Sequence, residues 1–169
     1  MQSGYVIGID AGGTKVAYGL FDPEGNRVDR AQHPTDICAT GESFSDTLIE
    51  NINALTAKNG MKVADLDGIG ICMPSFILFD EGVVLMTSAM PGIKKFKMRG
   101  YLEEPLNTRI VLDNDSNAAA LAEYRRGAGR GSRHLVYITA GTGLGSGIII
   151  DGKLFRGSYG WAGECGHML

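Results

Sequence analysis

Two glycine-rich loops carrying threonine, Asp10-Ala11-Gly12-Gly13-Thr14-Lys15 and Thr139-Ala140-Gly141-Thr142-Gly143-Leu144-Gly145, each lie between two β-like runs. Residues 5–9 and 16–21 flank the first, and residues 134–138 and 147–150 flank the second. This repeated strand–turn–strand constrains the fold more than any other feature. Glycine lets the main chain approach an anion closely and take positive φ, so such turns offer N–H groups and hydroxyls to phosphate. An Asn114-Asp115 pair stands between the loops. Two anion loops with a carboxylate between them point to a nucleotide-dependent phosphotransferase.

Neither loop is a P-loop. In Gly13-Thr14-Lys15 the threonine precedes the lysine, and a strand-like run follows. Neither is a dinucleotide-binding turn, because Gly141, Gly143, Gly145 and Gly147 alternate and no helix follows. What remains is an actin-like arrangement, in which two related lobes each donate a phosphate hairpin.

Composition narrows the setting. A chain of 169 residues with 44% hydrophobic content can build a core and make one domain or one and a fraction. A net charge of −3 gives no electrostatic footprint for nucleic acid. The run Lys94-Lys95-Phe96-Lys97 with Arg99 reads as a solvated approach to a helix. No apolar stretch approaches the ~20 residues a membrane span needs. Met1-Gln2-Ser3-Gly4 runs straight into a strand without a leader pattern. Cys38, Cys72 and Cys165 form no CxxC motif, which favours reduced thiols in a cytoplasm.

The remaining elements follow from pattern. Asp22-Pro23-Glu24-Gly25-Asn26 is a hairpin connection to a third strand over 27–32. Phe44, Leu48, Ile49, Ile52 and Leu55 recur at helical spacing until Asn59-Gly60. A buried strand over 66–73 stops at Pro74, and 76–86 forms a hairpin around Asp80-Glu81-Gly82. A short helix over 98–106 contains Pro105, and a strand over 109–112 precedes Asp113-Asn114-Asp115. Ser116 is the expected N-cap of a helix over 117–126. Gly127-Ala128-Gly129-Arg130-Gly131-Ser132 is the one linker-like run. The expected division is therefore 1–126 as a small lobe, 127–133 as a hinge, and 134–169 as the incomplete opening of a larger lobe. Asp151-Gly152 is a tight turn in that last segment.

Residue chemistry assigns provisional roles. Asp10, at the end of the first strand, suits a hydrated Mg²⁺ facing the phosphates. Thr14, Thr139, Thr142 and the N–H groups of Gly12, Gly13, Gly141 and Gly143 can cradle phosphate oxygens, and Lys15 adds positive charge. Asp115, at a strand-to-helix junction, is either a capping residue or a general base for an attacking hydroxyl. Glu164 and His167, three apart, can grip adjacent sugar hydroxyls, or the histidine can ligate zinc.

These residues together resemble the ROK family of sugar kinases and repressors. The first loop is similar to the family's DxGGTK motif, and Asn114-Asp115-Ser116-Asn117-Ala118-Ala119-Ala120-Leu121-Ala122-Glu123 to its NDxNAAALxE segment. Residues 139–147 resemble its second phosphate loop, and Gly163-Glu164-Cys165-Gly166-His167 its GExGH motif. The resemblance implies a mixed-sheet α/β fold of the ribonuclease H-like, actin/hexokinase type. It also implies ATP with Mg²⁺ and a hexose or hexose derivative as substrate. Asp115 becomes the catalytic base, Asn114 and Glu164 sugar ligands, and His167 a sugar contact that can also ligate zinc.

The sequence departs from the family pattern in three places. Met73-Pro74-Ser75 replaces a PGP-like turn, and Ala89-Met90-Pro91-Gly92-Ile93 replaces an NLPGW-like segment. The family's cysteine-rich CxCGxxGC zinc loop does not occur before Leu169. The expectations are therefore a cytoplasmic hexose kinase whose isolated 169-residue chain is inactive. Unpaired strand edges predict a homo-oligomer. A first strand beginning near Met1 disfavours DNA binding. The alternatives are a non-catalytic sugar-sensing or partner-binding protein of the same fold, and an actin-like ATPase acting on a carboxylate.

Overall fold

A computed structural model describes residues 4–141 and 143–167, the last of these for its backbone alone. The chain divides into two compact units, the first ending at Leu112 and the second beginning at Asp113.

The first unit is built on a five-stranded mixed sheet in the order β3-β2-β1-β4-β8. Its strands are β1 (Val6–Ala11), β2 (Lys15–Phe21), β3 (Arg27–Pro34), β4 (Gly68–Met73) and β8 (Ile110–Asn114). β2 runs antiparallel to β1 and β3, while β4 runs parallel to β1. Alternation sends Ile7, Ile9 and Ala11 of β1, Val16, Tyr18 and Leu20 of β2, and Ile69, Ile71 and Met73 of β4 into one buried layer. Helix α1 (Gly41–Lys58) covers that layer with Phe44, Leu48, Ile52 and Leu55, the helical spacing expected from the sequence. Thr40 and Ser43 form a capping box at its start, which satisfies two of the orphan N–H groups.

Helix α2 (Met98–Leu106) packs beside α1 and buries Met98, Leu102 and Leu106. Pro105 sits in its last turn, and Asn107 ends it in the left-handed conformation. A second sheet has the order β5-β6-β7, from β5 (Ser75–Leu78), β6 (Val83–Thr87) and β7 (Lys94–Phe96). The lysine-rich run thus corrects the sequence expectation. Lys94 and Phe96 pair with Met86 and Val84 as a strand rather than forming a helix approach. Phe96 closes over α1 at Gly41, where a Cβ would come within 2.3 Å of the ring.

In the second unit, β9 (Leu135–Ala140), β10 (Leu144–Ile150) and β11 (Lys153–Leu154) form an antiparallel sheet with β10 in the middle. Helix α3 (Asp115–Arg126) packs on one face of it. Asp151 at φ 49° and Gly152 at φ 76° make the expected tight turn. Because α3 packs on β9 and β10, it belongs to the second compact unit, which begins at Asp113.

Candidate functional site

Each unit carries one of the two glycine-rich turns, and the same device closes both. In the first, the Gly12 N–H donates to the Lys15 carbonyl at 3.0 Å. In the second, the Gly141 N–H donates to the Gly143 carbonyl at 2.9 Å. Those two N–H groups are engaged within their own turns. None of Gly12, Gly13 and Gly141 is among the positive-φ residues, so space rather than backbone handedness is what glycine provides at these positions. Among the described residues beyond each glycine's chain neighbours, no atom lies within 4 Å of where a Cβ would stand on Gly141 or Gly143. Both positions keep the main chain open to an approaching group.

The first turn is braced from outside. The Thr35 hydroxyl donates to the Gly12 carbonyl at 2.7 Å, and the Thr35 N–H to the Thr14 carbonyl at 3.0 Å. Gly13, Thr14 and Lys15 are exposed. Asp10 pairs in register with Cys72 of β4 and points to the sheet face opposite the packed layer, where it too is exposed. The Cys72 thiol lies 3.9 Å from its Oδ1. One exposed carboxylate beside an anion turn fits Mg²⁺, which keeps most of its waters. Zinc is different. Among the described residues no three His, Cys, Asp or Glu side chains gather as a metal site, whereas a structural zinc takes four ligands. The His167 side chain and Thr142 lie outside the described residues.

The second unit concentrates the remaining candidates around β10. Asn114, the last residue of β8, caps α3: its Oδ1 accepts from the Ser116 N–H at 2.8 Å and the Asn117 N–H at 3.2 Å. The cap is therefore Asn114 and not Ser116, and the helix starts at Asp115. Asp115 lies half-buried in the first turn, where its Oδ1 also accepts the Ser116 N–H at 2.8 Å. The first turn of α3 meets β10 through glycine. A Cβ on Gly145 would come within 2.4 Å of Ser116 Oγ and 3.2 Å of Thr139 Cγ2. A Cβ on Gly147 would come within 2.5 Å of the Ala120 Cβ. The alternating glycines thus divide into two roles: Gly141 and Gly143 leave the turn open, while Gly145 and Gly147 admit the helix.

The Gly163–Gly166 segment lies along the same strand. The Gly163 carbonyl accepts from the Ser146 N–H at 3.1 Å, the Ser146 hydroxyl at 2.6 Å and the Cys165 N–H at 2.7 Å. Gly163 has φ 96°, and a Cβ there would come within 2.4 Å of the Ser146 carbonyl oxygen, so no other residue fits. Glu164 follows directly and is half-buried. The fold therefore brings Thr139, the open turn, Asn114-Asp115 and Glu164 to residues 144–147 of one strand.

One participant escaped the sequence reading. Asp113 is held by Arg156, whose Nη2 and Nε lie 2.6 and 3.2 Å from Oδ2. Asp113 Oδ1 accepts from the Asn114 N–H at 2.8 Å and Asn117 Nδ2 at 3.0 Å. Nothing in the sequence links positions 113 and 156. A cavity of about 390 Å³ is lined by Tyr5, Leu20, Val28, Asn59, Gly60, Met61 and Asp65, and holds none of the candidate residues.

Comparison with known proteins agrees with this geometry. The family model described as ROK matches residues 6–169. A glucokinase from Halalkalibacterium halodurans is 33% identical over 168 residues, covering 99% of this chain and 51% of its own length. A ROK hexokinase structure from Thermus thermophilus superposes with a TM-score of 0.83 at 35% identity, over 97% of this chain and 53% of that one. A ROK family glucokinase structure from Streptomyces griseus, in complex with glucose and AMPPNP, gives a TM-score of 0.80 at 34% identity, over 97% and 50%. The chain spans about half the length of the curated relatives it matches. The relatives also include a xylose repressor from Bacillus subtilis, 32% identical over 168 residues, 99% of this chain and 43% of that protein. These matches establish the actin/hexokinase type of fold expected from the sequence. The repressor leaves the expected absence of a nucleic-acid partner without support. Among the described residues no helix is long and apolar enough to cross a membrane.

Proposed function

This chain belongs to the ROK family, and from that premise we propose that it carries the phosphate turns and catalytic base of an ATP-dependent kinase for a hexose or hexose derivative. The observation that carries the reading is the meeting of Asn114-Asp115, Thr139 and the Gly163–Gly166 segment on β10. A polyol needs convergent acceptors and donors, and Asn114, Asp115, Glu164 and His167 supply them. Relatives named glucokinase support the substrate class, and AMPPNP in a structural neighbour supports ATP as donor.

In this reading one Asp115 oxygen is steadied by the Ser116 N–H. The other takes the proton of the sugar hydroxyl as that oxygen bonds to the γ-phosphorus and the bond to the β–γ bridging oxygen breaks, releasing ADP. Thr14, Gly13 and Lys15 of the first turn and Thr139, Thr142 and Gly143 of the second hold phosphate oxygens. Asp10 would hold the Mg²⁺, which would offset charge on the phosphates. The setting is cytoplasmic, and the protein works as a homo-oligomer.

Hexose-dependent ADP release tests the reading, measured with the 169-residue chain and with the full product of its gene. The short chain alone is expected to be inactive. In the active form Asp115→Asn lowers kcat by about 10²–10⁴-fold with folding unchanged. Turnover that survives Asp115→Asn, or that responds to carboxylic acids and not to hexoses, overturns it.

A second reading rests on the xylose repressor relative: a sugar-sensing protein that binds sugar without consuming ATP. Hexose binding by calorimetry with no ADP release from any active-length form would favour it.

A further inference from the structure

We propose that Arg156 is the positioning residue of the Asn114-Asp115 turn, joining that turn to the segment that carries Glu164. The inference deepens the kinase reading and rests on it for the role of Asp115. It stands on a set of contacts wholly within the second unit.

The Arg156 guanidinium places two donors on Asp113 Oδ2, at 2.6 and 3.2 Å. The pair is mostly withdrawn from water, with side-chain exposures of 27% for Arg156 and 15% for Asp113. Asp113 uses its other oxygen on the Asn114 N–H and on Asn117 Nδ2. It therefore grips the turn at two points, one residue on either side of the Asp115–Ser116 step. Asn117 is only 2% exposed, and Asp113 holds its amide nitrogen. A carboxylate with four donors around it has a fixed orientation, and so does the backbone it holds.

The other end of Arg156 acts on a different segment. Its carbonyl accepts the Ala162 N–H at 2.9 Å, closing the loop that runs from 156 to 162. Glu164 follows two residues later, after Gly163 has docked on Ser146. One residue thus fixes the start of α3 by its side chain and the approach to Glu164 by its backbone.

The test is NMR of the turn in the 169-residue chain: amide hydrogen exchange at Asn114 and Ser116 and the side-chain amide resonance of Asn117, comparing wild type with Arg156→Gln, Arg156→Lys and the double variant Asp113→Asn/Arg156→Gln. Arg156→Gln is expected to speed exchange at those amides about tenfold or more relative to amides of β9 and to move the Asn117 resonance. Arg156→Lys recovers most of that protection, and the double variant loses no more than Arg156→Gln does, because the guanidinium acts through Asp113. A residue that only stabilises the loop would lower the melting temperature and leave the turn's exchange and the Asn117 resonance unmoved in all variants; that result overturns the proposal. Should Arg156→Gln fail to fold, Asp113→Asn alone decides. It breaks the charged link and must speed exchange at the same amides, and no change sinks the idea. Because no nucleotide or sugar enters the measurement, its failure is distinct from a failure of the kinase reading.

Discussion

The two units meet the same local problem, an anion turn between antiparallel strands, on very different supports. Every member of the contiguous apolar core lies before Asp113, from Ile7 to Leu112. In the second unit, Ala120 and Ile149 are the buried hydrophobic residues among those described. The register explains why. Leu135, Tyr137 and Thr139 pair with Ile149, Gly147 and Gly145 on the face that takes α3. The alternate residues Val136, Ile138, Leu144 and Ile150 lie on the other face, at 62%, 61%, 48% and 42% exposure. A helix covers one side of that sheet, and the other presents aliphatic side chains to water. The first turn therefore sits on a sheet that its own unit has closed, and the second on a sheet that it has not.

Core substitutions should make that contrast quantitative. Leu48→Ala, at a fully buried position of α1, is expected to cost about 2–5 kcal/mol in urea unfolding followed by circular dichroism. Ile138→Ala, which removes a comparable volume from β9, should change stability by no more than about 0.5 kcal/mol. Equal losses at the two sites would break the comparison, because Ile138 would then be packed in solution.

Glycine sharpens it at smaller amplitude. Gly147→Ala drives a methyl group between β10 and α3, where Ser116 O lies 2.6 Å and Asn117 Cα 3.2 Å from the Cβ position. Overpacking of this kind costs about 1–3 kcal/mol, and hydrogen exchange should report it at amides of the second unit alone. Gly70→Ala in β4 of the first unit meets nothing within 4 Å and serves as the control. Loss of protection in β1 or β4 on Gly147→Ala would mean that the units do not open separately.

Much of this was legible in the sequence, and the exceptions share a cause. The flanking strands of both turns, the α1 stripe and the Asp151-Gly152 turn depend on neighbours in sequence, and each appears where pattern places it. The misread elements depend on distant partners. Lys94–Phe96 becomes a strand because β6 offers an edge and Gly41 leaves room for the Phe96 ring. Asn114 and Ser116 are both competent caps by type; the Asn114 side chain is the one turned onto the helix N–H groups, in a turn whose Asp113 is held by Arg156. The same long-range tie hid Arg156 from any reading of motifs. Composition marks the glycine-rich run as linker-like, while the packing of α3 on β10, which composition does not reveal, groups the helix with the second compact unit.

The smallest effect belongs to a surface contact of the first unit. Asp29 of β3 receives Lys58 Nζ at 2.8 Å and Asn59 Nδ2 at 2.9 Å, both from the end of α1. Its neighbour's Arg30 N–H adds a third donor at 2.8 Å. The Lys58 and Asn59 hydrogen bonds, together with that N–H, hold the carboxyl down at about 2, below its ordinary 3.8. A depressed folded-state value means that the contribution is complete above about pH 4 and disappears as pH falls through 2. Asp29→Asn should therefore melt slightly below wild type near neutral pH, and the two curves should converge on acidification across that window. Raising the salt concentration should narrow the gap, since Lys58 is largely exposed. An offset that stays constant from pH 5 to pH 2 would show that the strand and the helix end are joined by packing rather than by this charge. In that case the first unit would owe even its surface tie to the same burial that its counterpart lacks.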